Sequence, residues 1–263
     1  MNNPSLYNVA DVSFAYDSVL VINDLSLNLQ KGKFYGIVGP NGCGKTTLLD
    51  LLIGNRTPKS GSIFFMGKPV NSYRHSDLAR RIGLVPQEFN TGFGYTVEEV
   101  VLMGRHPYIR RFASPSADDW YHVKRAMNTI GISELKDRYT NELSGGQKQR
   151  AVVARALAQD TDVLIFDEAT SSLDVKYTLQ IFNVARRLAR QDNRTIIAVI
   201  HNLNLAAAYC DEIVFMKDGG VHQFGPTEEV MNPETILNVF GVTTDVTRDP
   251  YNHKYQVSFQ YQD

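Results

Sequence analysis

The chain has 263 residues, 43% of them hydrophobic, and a formal net charge of −1 with Lys and Arg scattered, which allows a large core and argues against nucleic-acid binding as its main task. Its two cysteines, Cys43 and Cys210, are too few for a disulfide framework and read as reduced thiols. No secretory leader is legible from Met1 to Tyr7, and no apolar run approaches the roughly 20 residues of a membrane span, so a soluble protein is expected whose membrane role, if any, runs through a partner.

Residues 6–67 are rich in strand signals, clearest at 9–16 and 62–66. Inside this stretch, residues 34–38 predict a short buried strand, 39–47 a glycine-rich turn and 47–53 a leucine-packed helix. Residues 88–142 predict mostly helix. There, Thr96-Val-Glu-Glu99 has capping-box spacing, 117–130 is a second helical pattern, and 110–116 has loop composition. Residues 143–201 alternate helix and strand: helix at 147–159, a continuous apolar strand at 163–166, helix at 175–190, and a second buried strand at 195–200. That alternation implies an α/β protein with a parallel sheet. Residues 212–263 read as an appendage. Asp218-Gly-Gly220 marks a hairpin, 233–240 a short helix stopped by Gly241, and Tyr255, Val257, Phe259 and Tyr261 alternate as a half-buried strand. The whole is read as one domain, 1–263, with the helical part at 88–142 inserted in it.

Two motifs carry phosphate chemistry. Gly39-Pro40-Asn41-Gly42-Cys43-Gly44-Lys45-Thr46 matches G-x-x-x-x-G-K-[ST] in full, after a strand and before a helix. Its glycines let successive N–H groups turn toward phosphate oxygens, and the helix start adds its positive end. Lys45 supplies charge for the β- and γ-phosphates, the Thr46 hydroxyl is a hard ligand for Mg²⁺, and Thr47 completes the binding turn. The second motif ends the apolar strand 163–166 with Asp167 and Glu168. A carboxylate at the end of a buried parallel strand faces the crevice where such sheets bind ligands. Asp167 suits Mg²⁺, and Glu168 suits a water attacking the γ-phosphate. Together they predict an NTPase that uses Mg²⁺ and leave open which kind; ATP as the nucleotide is what the family resemblance below implies.

Leu143-Ser144-Gly145-Gly146-Gln147 resembles the signature motif of the ABC ATPase family. Ser144 and Gln147 stand at capping-box spacing, and the two glycines leave N–H groups uncovered at a helix start. The resemblance implies a P-loop NTPase with a RecA-like parallel-sheet core, an N-terminal antiparallel β subdomain and an inserted helical subdomain. It also implies that two copies pair head-to-tail, each signature closing on the other's ATP. Tyr16 is similar to the aromatic that stacks on adenine, and Gln87 to the glutamine that touches Mg²⁺ and the attacking water. Ser171-Ser-Leu-Asp174 resembles the D-loop, and His201 the switch histidine at the γ-phosphate. The resemblance spans residues 7–241. Ala169 stands where proline is usual, and Asn202 where aspartate often follows the histidine.

Thr96-Val-Glu-Glu-Val-Val-Leu-Met-Gly-Arg-His-Pro107 and Phe240-Gly-Val242 are similar to stretches in ATPases of iron-siderophore, haem and cobalamin importers. Molybdate importers use similar ATPases. An exporter ATPase, or an ABC ATPase that moves no cargo, is the further alternative. The implied partners are integral-membrane permease subunits, a second copy of the chain and, indirectly, a substrate-binding protein. The implied place is the cytoplasmic face of the membrane, held peripherally. Residues 89–95, with Phe89, Phe93 and Tyr95, are a candidate permease-docking surface, and a thiol reagent at Cys43 is expected to block ATP binding.

Overall fold

The structure is a computed structural model that describes residues 5–89, 94–170 and 173–260. Readings that fall on Met1, residues 90–93 (Phe93 among them), Ser171, Ser172 and Tyr261 lie outside the described residues. The chain runs through β1 (Ser5–Tyr16), β2 (Val19–Gln30), β3 (Phe34–Val38), α1 (Lys45–Leu52), β4 (Ser60–Phe65), β5 (Lys68–Pro69), α2 (His75–Ala79) and β6 (Ile82–Val85). It continues through α3 (Val97–Leu102), α4 (Ala117–Ile130), α5 (Gly145–Ala158), β7 (Val163–Phe166), α6 (Val175–Asp192) and β8 (Thr195–Val199). The last elements are α7 (Leu203–Tyr209), β9 (Glu212–Lys217), β10 (Gly220–Pro226), α8 (Thr227–Val230), α9 (Pro233–Phe240), β11 (Thr244–Arg248) and β12 (Tyr255–Phe259). No helix among the described residues is long and apolar enough to cross a membrane. The class is the expected α/β. The chain divides into two compact units, residues 1–73 with 195–263, and residues 74–194.

In the first unit, β1 pairs antiparallel with β2 and β4. The Leu25, Leu27, Leu29 alternation of β2 buries one face, as period-2 patterning requires. The first half of β2 carries no period-2 pattern, since Val19 to Ile22 is a continuous apolar run of which only Ile22 is buried, so the strand is not marked there in the sequence. β3 lies between β8 and β9, parallel to both, and all five of its residues are buried. β9 turns antiparallel into β10 through Asp218 and Gly219, both at positive φ, which is the backbone a tight two-residue hairpin demands. Asn232 caps α9, Pro233 opens it and left-handed Gly241 ends it.

The alternating C-terminal strand needs a correction. β12 pairs only with β11, and of Tyr255, Val257 and Phe259 only Val257 is buried, with Phe259 46% exposed. A two-stranded ribbon covers too little surface to bury a whole face. Its hold on α7 is polar: the Asn204 amide donates to Val257 O at 3.2 Å and accepts from Val257 N at 2.6 Å.

In the second unit, β6 and β7 pair in parallel, Ile82 opposite Val163 through Val85 opposite Phe166. The predicted capping box of α3 is present, with Glu99 N donating to Thr96 Oγ1 and Thr96 N to Glu99 Oε2. A second box, Ser116 with Asp119, opens α4. Asp119 also takes Arg105 Nε at 3.0 Å, and Arg105 Nη1 donates to Ala158 O, tying the start of α4 to the end of α5. No local sequence signal marks that buried pair.

Candidate functional site

The first unit supplies the glycine-rich turn. β3 ends at Val38, the turn follows, and Gly44 caps α1 in the left-handed region at φ 99°. The helix therefore starts at Lys45, two residues earlier than the leucine pattern indicated, because a glycine rather than a polar side chain makes the cap. At Gly39 a Cβ would lie 2.3 Å from Met216 O of β9 and 2.8 Å from Cys43 Sγ, so no larger residue fits. Gly42 sits at φ 81°. Gly44, as the N-cap of α1, supplies no side-chain cap bond. Lys45 is only 5% exposed, and its Nζ donates to Gly39 O at 2.9 Å and Pro40 O at 2.8 Å. Asn41, Gly42 and Thr46 are exposed, whereas Cys43 and Thr47 are buried. Burial pushes the Cys43 thiol up, against the opposing pull of Lys45's charge. Cys43 N donates to Pro40 O at 3.4 Å.

Strand register brings His201 to the same end. Ile37 of β3 faces Val199 of β8, and Ile200 N donates to Ile37 O at 3.1 Å. The turn leaves β3 and His201 leaves β8 from the carboxyl ends of adjacent parallel strands, where α/β sheets place ligand groups. His201 is exposed. Asn202, where an aspartate was the usual residue, caps α7 by accepting from Asn204 N and Leu205 N at 2.9 and 3.1 Å, so that change keeps the helix start intact. Tyr16 ends β1 with its ring 39% exposed, Phe14 edge-on at 5.0 Å and the Arg56 guanidinium 5.2 Å from its centroid.

The second unit repeats the logic. Asp167 N donates to Val85 O at 2.9 Å, so Gln87 and the Asp167–Glu168 pair leave β6 and β7 at the same end. Gln87 Nε2 donates to Glu168 Oε2 at 2.8 Å. Glu168 holds φ 50°, an uncommon conformation for a residue with a side chain. Asp167 is 8% exposed, and Ala169 is buried. At the signature, Gln147 N donates to Ser144 Oγ at 3.3 Å and Ser144 N to Gln147 Oε1 at 3.0 Å, the expected capping box. This box starts α5 at Gly145, ahead of the residue that propensity selected, and nothing stands within 4 Å of a Cβ built on Gly145. Asp174 caps α6, accepting from Tyr177 N at 3.1 Å. Within 89–95, Phe89 is half-buried beneath the Arg155 guanidinium at 4.5 Å and Tyr95 is half-buried.

Each unit therefore gathers its own members of the predicted set: Tyr16, residues 39–47 and His201 in one, and Gln87, Ser144–Gln147, Asp167, Glu168 and Asp174 in the other. The sequence reading missed Asp211, whose Oδ2 accepts from Phe34 N at 2.8 Å and pins the start of β3. It also missed Arg150 and Tyr177, which stack at 3.9 Å. No periodicity marks either.

Comparison with known proteins matches the same stretches. The family described as ABC transporter matches residues 22–171, from β2 through the turn, the signature and Glu168. The cobalamin import ATP-binding protein BtuD of Halobacterium salinarum is 41% identical over 230 residues, 88% of this chain, and the chain spans only 57% of that relative's length. The probable siderophore transport system ATP-binding protein YusV of Bacillus subtilis is 35% identical over 239 residues, 91% of this chain and 87% of the relative. Among solved structures, a chain of a metal-chelate type ABC transporter in an inward-facing conformation superposes with TM-score 0.84 at 29% identity, covering 98% of this chain and 97% of that one. Motif order, strand-end geometry and these likenesses agree: the chain belongs to the ABC transporter family.

Proposed function

We propose that this chain is the ATP-hydrolysing subunit of an importer for a metal chelate such as an iron-siderophore, haem or cobalamin. One observation carries the reading. The chain has two helix starts suited to anions, α1 behind the turn 39–44 and α5 behind Ser144-Gly-Gly-Gln147, and a single nucleotide needs only one of them. Two copies arranged head-to-tail use both. The names of the two relatives, cobalamin import and siderophore transport, support the cargo class.

In this reading the N–H groups from Gly39 to Thr47 hold the α- and β-phosphates, and Lys45 turns from its carbonyls to the γ-phosphate. Tyr16 stacks on adenine. Glu168, positioned by Gln87, accepts a proton from the attacking water, and His201 binds the γ-phosphate until it leaves. Ser144, Gly145, Gly146 and Gln147 close on the second copy's nucleotide, with Asp174 beside them. By chemistry alone, the Thr46 hydroxyl and the Asp167 carboxylate are hard oxygen donors of the kind Mg²⁺ takes while keeping several waters, and in this reading they would hold it with Gln87. Bound there, Mg²⁺ would neutralise charge on the phosphates. Closure of the pair is favoured because ATP binds the closed state more tightly than the open one. Residues 89–95 pass that motion to a permease at the cytoplasmic face of the membrane, and a substrate-binding protein delivers the cargo outside.

The test is to tag the Glu168→Gln chain, express it in its native host, solubilise membranes gently and identify what co-purifies. A polytopic permease encoded with a metal-chelate binding protein supports the importer. A soluble complex with nucleic acid or ribosomes, and no permease, overturns it.

A further inference from the structure

Arg150 lies less than two turns into α5, six residues after the cap Ser144, and is 6% exposed. Its Nη1 donates to the carbonyl of Gly131, the left-handed residue that ends α4, at 3.2 Å. Its guanidinium carbon stands 3.9 Å from the centroid of the Tyr177 ring. Its Nε is buried without a hydrogen-bond partner among the described residues. Tyr177 is the third residue of α6, and its backbone N–H is the one that binds the Asp174 cap. One side chain thus joins the end of α4, the first turns of α5 and the start of α6.

A buried guanidinium that has, among the described residues, a carbonyl partner at one nitrogen and none at Nε is a costly way to fill space, since an apolar side chain of similar volume carries no such penalty. The π face of Tyr177 offsets part of the cost only while the stack is tight. The stack therefore resists sliding of α6 along α5. Gln147 and Asp174 are separated by a helix, a strand and a turn, and nothing local in the sequence fixes their spacing. The Arg150–Tyr177 contact ties α5 to α6 near both motifs, alongside the bond from Gln180 Nε2 to Thr129 O at 3.4 Å that ties α6 to α4.

We propose that Arg150 is a positioning residue that locks Asp174 in register with the signature turn Ser144–Gln147, so that the two motifs meet the second copy as one rigid surface. This rests on the ATP-sandwich reading above. Lysine cannot replace it, because an ammonium does not present a plane to the Tyr177 ring while also donating to the Gly131 carbonyl.

The experiment compares Arg150→Lys, Tyr177→Leu, Tyr177→Phe and the Arg150→Lys/Tyr177→Leu double variant in the full chain, well below their melting temperatures. ATP binding to the isolated chain, steady-state kcat and KM, and ATP-driven pairing in the Glu168→Gln background are measured. Arg150→Lys and Tyr177→Leu are expected to bind ATP as the parent does and to hold KM within about twofold, but to lose at least about tenfold in kcat and in pairing affinity. Tyr177→Phe keeps the ring and retains full activity. The double variant is no worse than either single one. A merely structural contact lowers the melting temperature and leaves kcat of the folded protein unchanged, so parent-like kcat in both single variants overturns the proposal, as does full additivity. If Arg150→Lys does not fold, Tyr177→Leu alone decides. Failure of the ATPase reading shows separately, as a parent chain that does not hydrolyse ATP. In that event the same double-mutant cycle is read on denaturant stability, where additivity removes the link.

Discussion

Gln87 and Glu168 come from different strands and meet at 2.8 Å, amide to carboxylate, while Glu168 holds a left-handed backbone. The amide fixes one carboxylate oxygen, and in the proposed function that carboxylate is the base. Glu168→Gln is expected to keep ATP binding, lower turnover by about 10²–10⁴-fold and accumulate an ATP-bound pair on gel filtration. Gln87→Ala removes only the orienting bond, worth about 1 kcal/mol, and is expected to slow turnover by about five- to tenfold. Parent-like turnover in Glu168→Gln removes that residue from its role.

Gly39→Ala adds one methyl where Met216 O is 2.3 Å away. Backbone carbonyl cannot yield as a flexible side chain can, so the turn itself must move. The variant is expected to fold with a lowered melting temperature and to lose ATP affinity by tenfold or more in equilibrium dialysis. Gly42→Ala, with open space around it, carries only the positive-φ strain of about 1–2 kcal/mol and is the milder of the two. Equal losses would show that the clash at Gly39 is not limiting.

The thiol expectation changes in rate. Cys43 is 6% exposed and its thiol is pushed up by burial, so little thiolate is present at neutral pH. Alkylation by iodoacetamide is expected to be much slower than for a small free thiol, to speed up as pH rises, and to abolish ATP binding where it does occur. Fast labelling at pH 7 with ATP binding intact would contradict both the burial and the placement in the turn.

Asp119 is pulled in two directions. Burial favours its neutral form, but hydrogen bonds from Ser116, the bond from Arg105 and that guanidinium's charge together hold its carboxyl below the usual carboxylate range. A carboxylate whose folded pKa is depressed contributes stability that is complete above its unfolded pKa and is lost as pH falls through the folded value. Asp119→Ala leaves the buried Arg105 with the mostly exposed Asp118 at 3.6 Å and the Ala158 carbonyl, and should cost about 1–3 kcal/mol at pH 7. That difference from the parent should shrink in urea melts taken below pH 4, and a constant difference across pH would show that packing, not charge, is lost.

Asn204 holds the C-terminal ribbon to α7 with two backbone bonds. Asn204→Ala leaves Val257 N and O without those partners and is expected to lower stability by about 1–3 kcal/mol and to raise amide exchange in β11 and β12 first. Uniform exchange across the first unit would instead mean that the ribbon unfolds only with the whole.

Much of this was readable in the residues. The turn at 39–46, the apolar runs of β3, β7 and β8, and the capping boxes at Thr96 and Ser144 are local, and their elements stand where local rules put them. Leucine spacing and propensity alone begin the helices at 47 and 147, but the phosphate turn and the Ser144 capping box, equally legible in the sequence, put their starts near Lys45 and Gly145, where they stand. What stayed hidden is long-range: the Arg105–Asp119 pair, the Arg150–Tyr177 stack and the Asp211 bond to Phe34 N join residues that no spacing relates. The gathering of His201 beside the turn depends on strand register, which only the paired sheet reveals.

Lys45 is already satisfied before any ligand arrives, its ammonium spread over the carbonyls of Gly39 and Pro40. Phosphate binding is therefore an exchange of partners and not the filling of a vacancy. If Lys45 serves the phosphates as proposed, only a ligand bearing enough negative charge at that depth would draw the ammonium away, and the turn would work as a threshold on charge. On the proposed function, a nucleoside is expected to leave the lysine where it is and a triphosphate to draw it away.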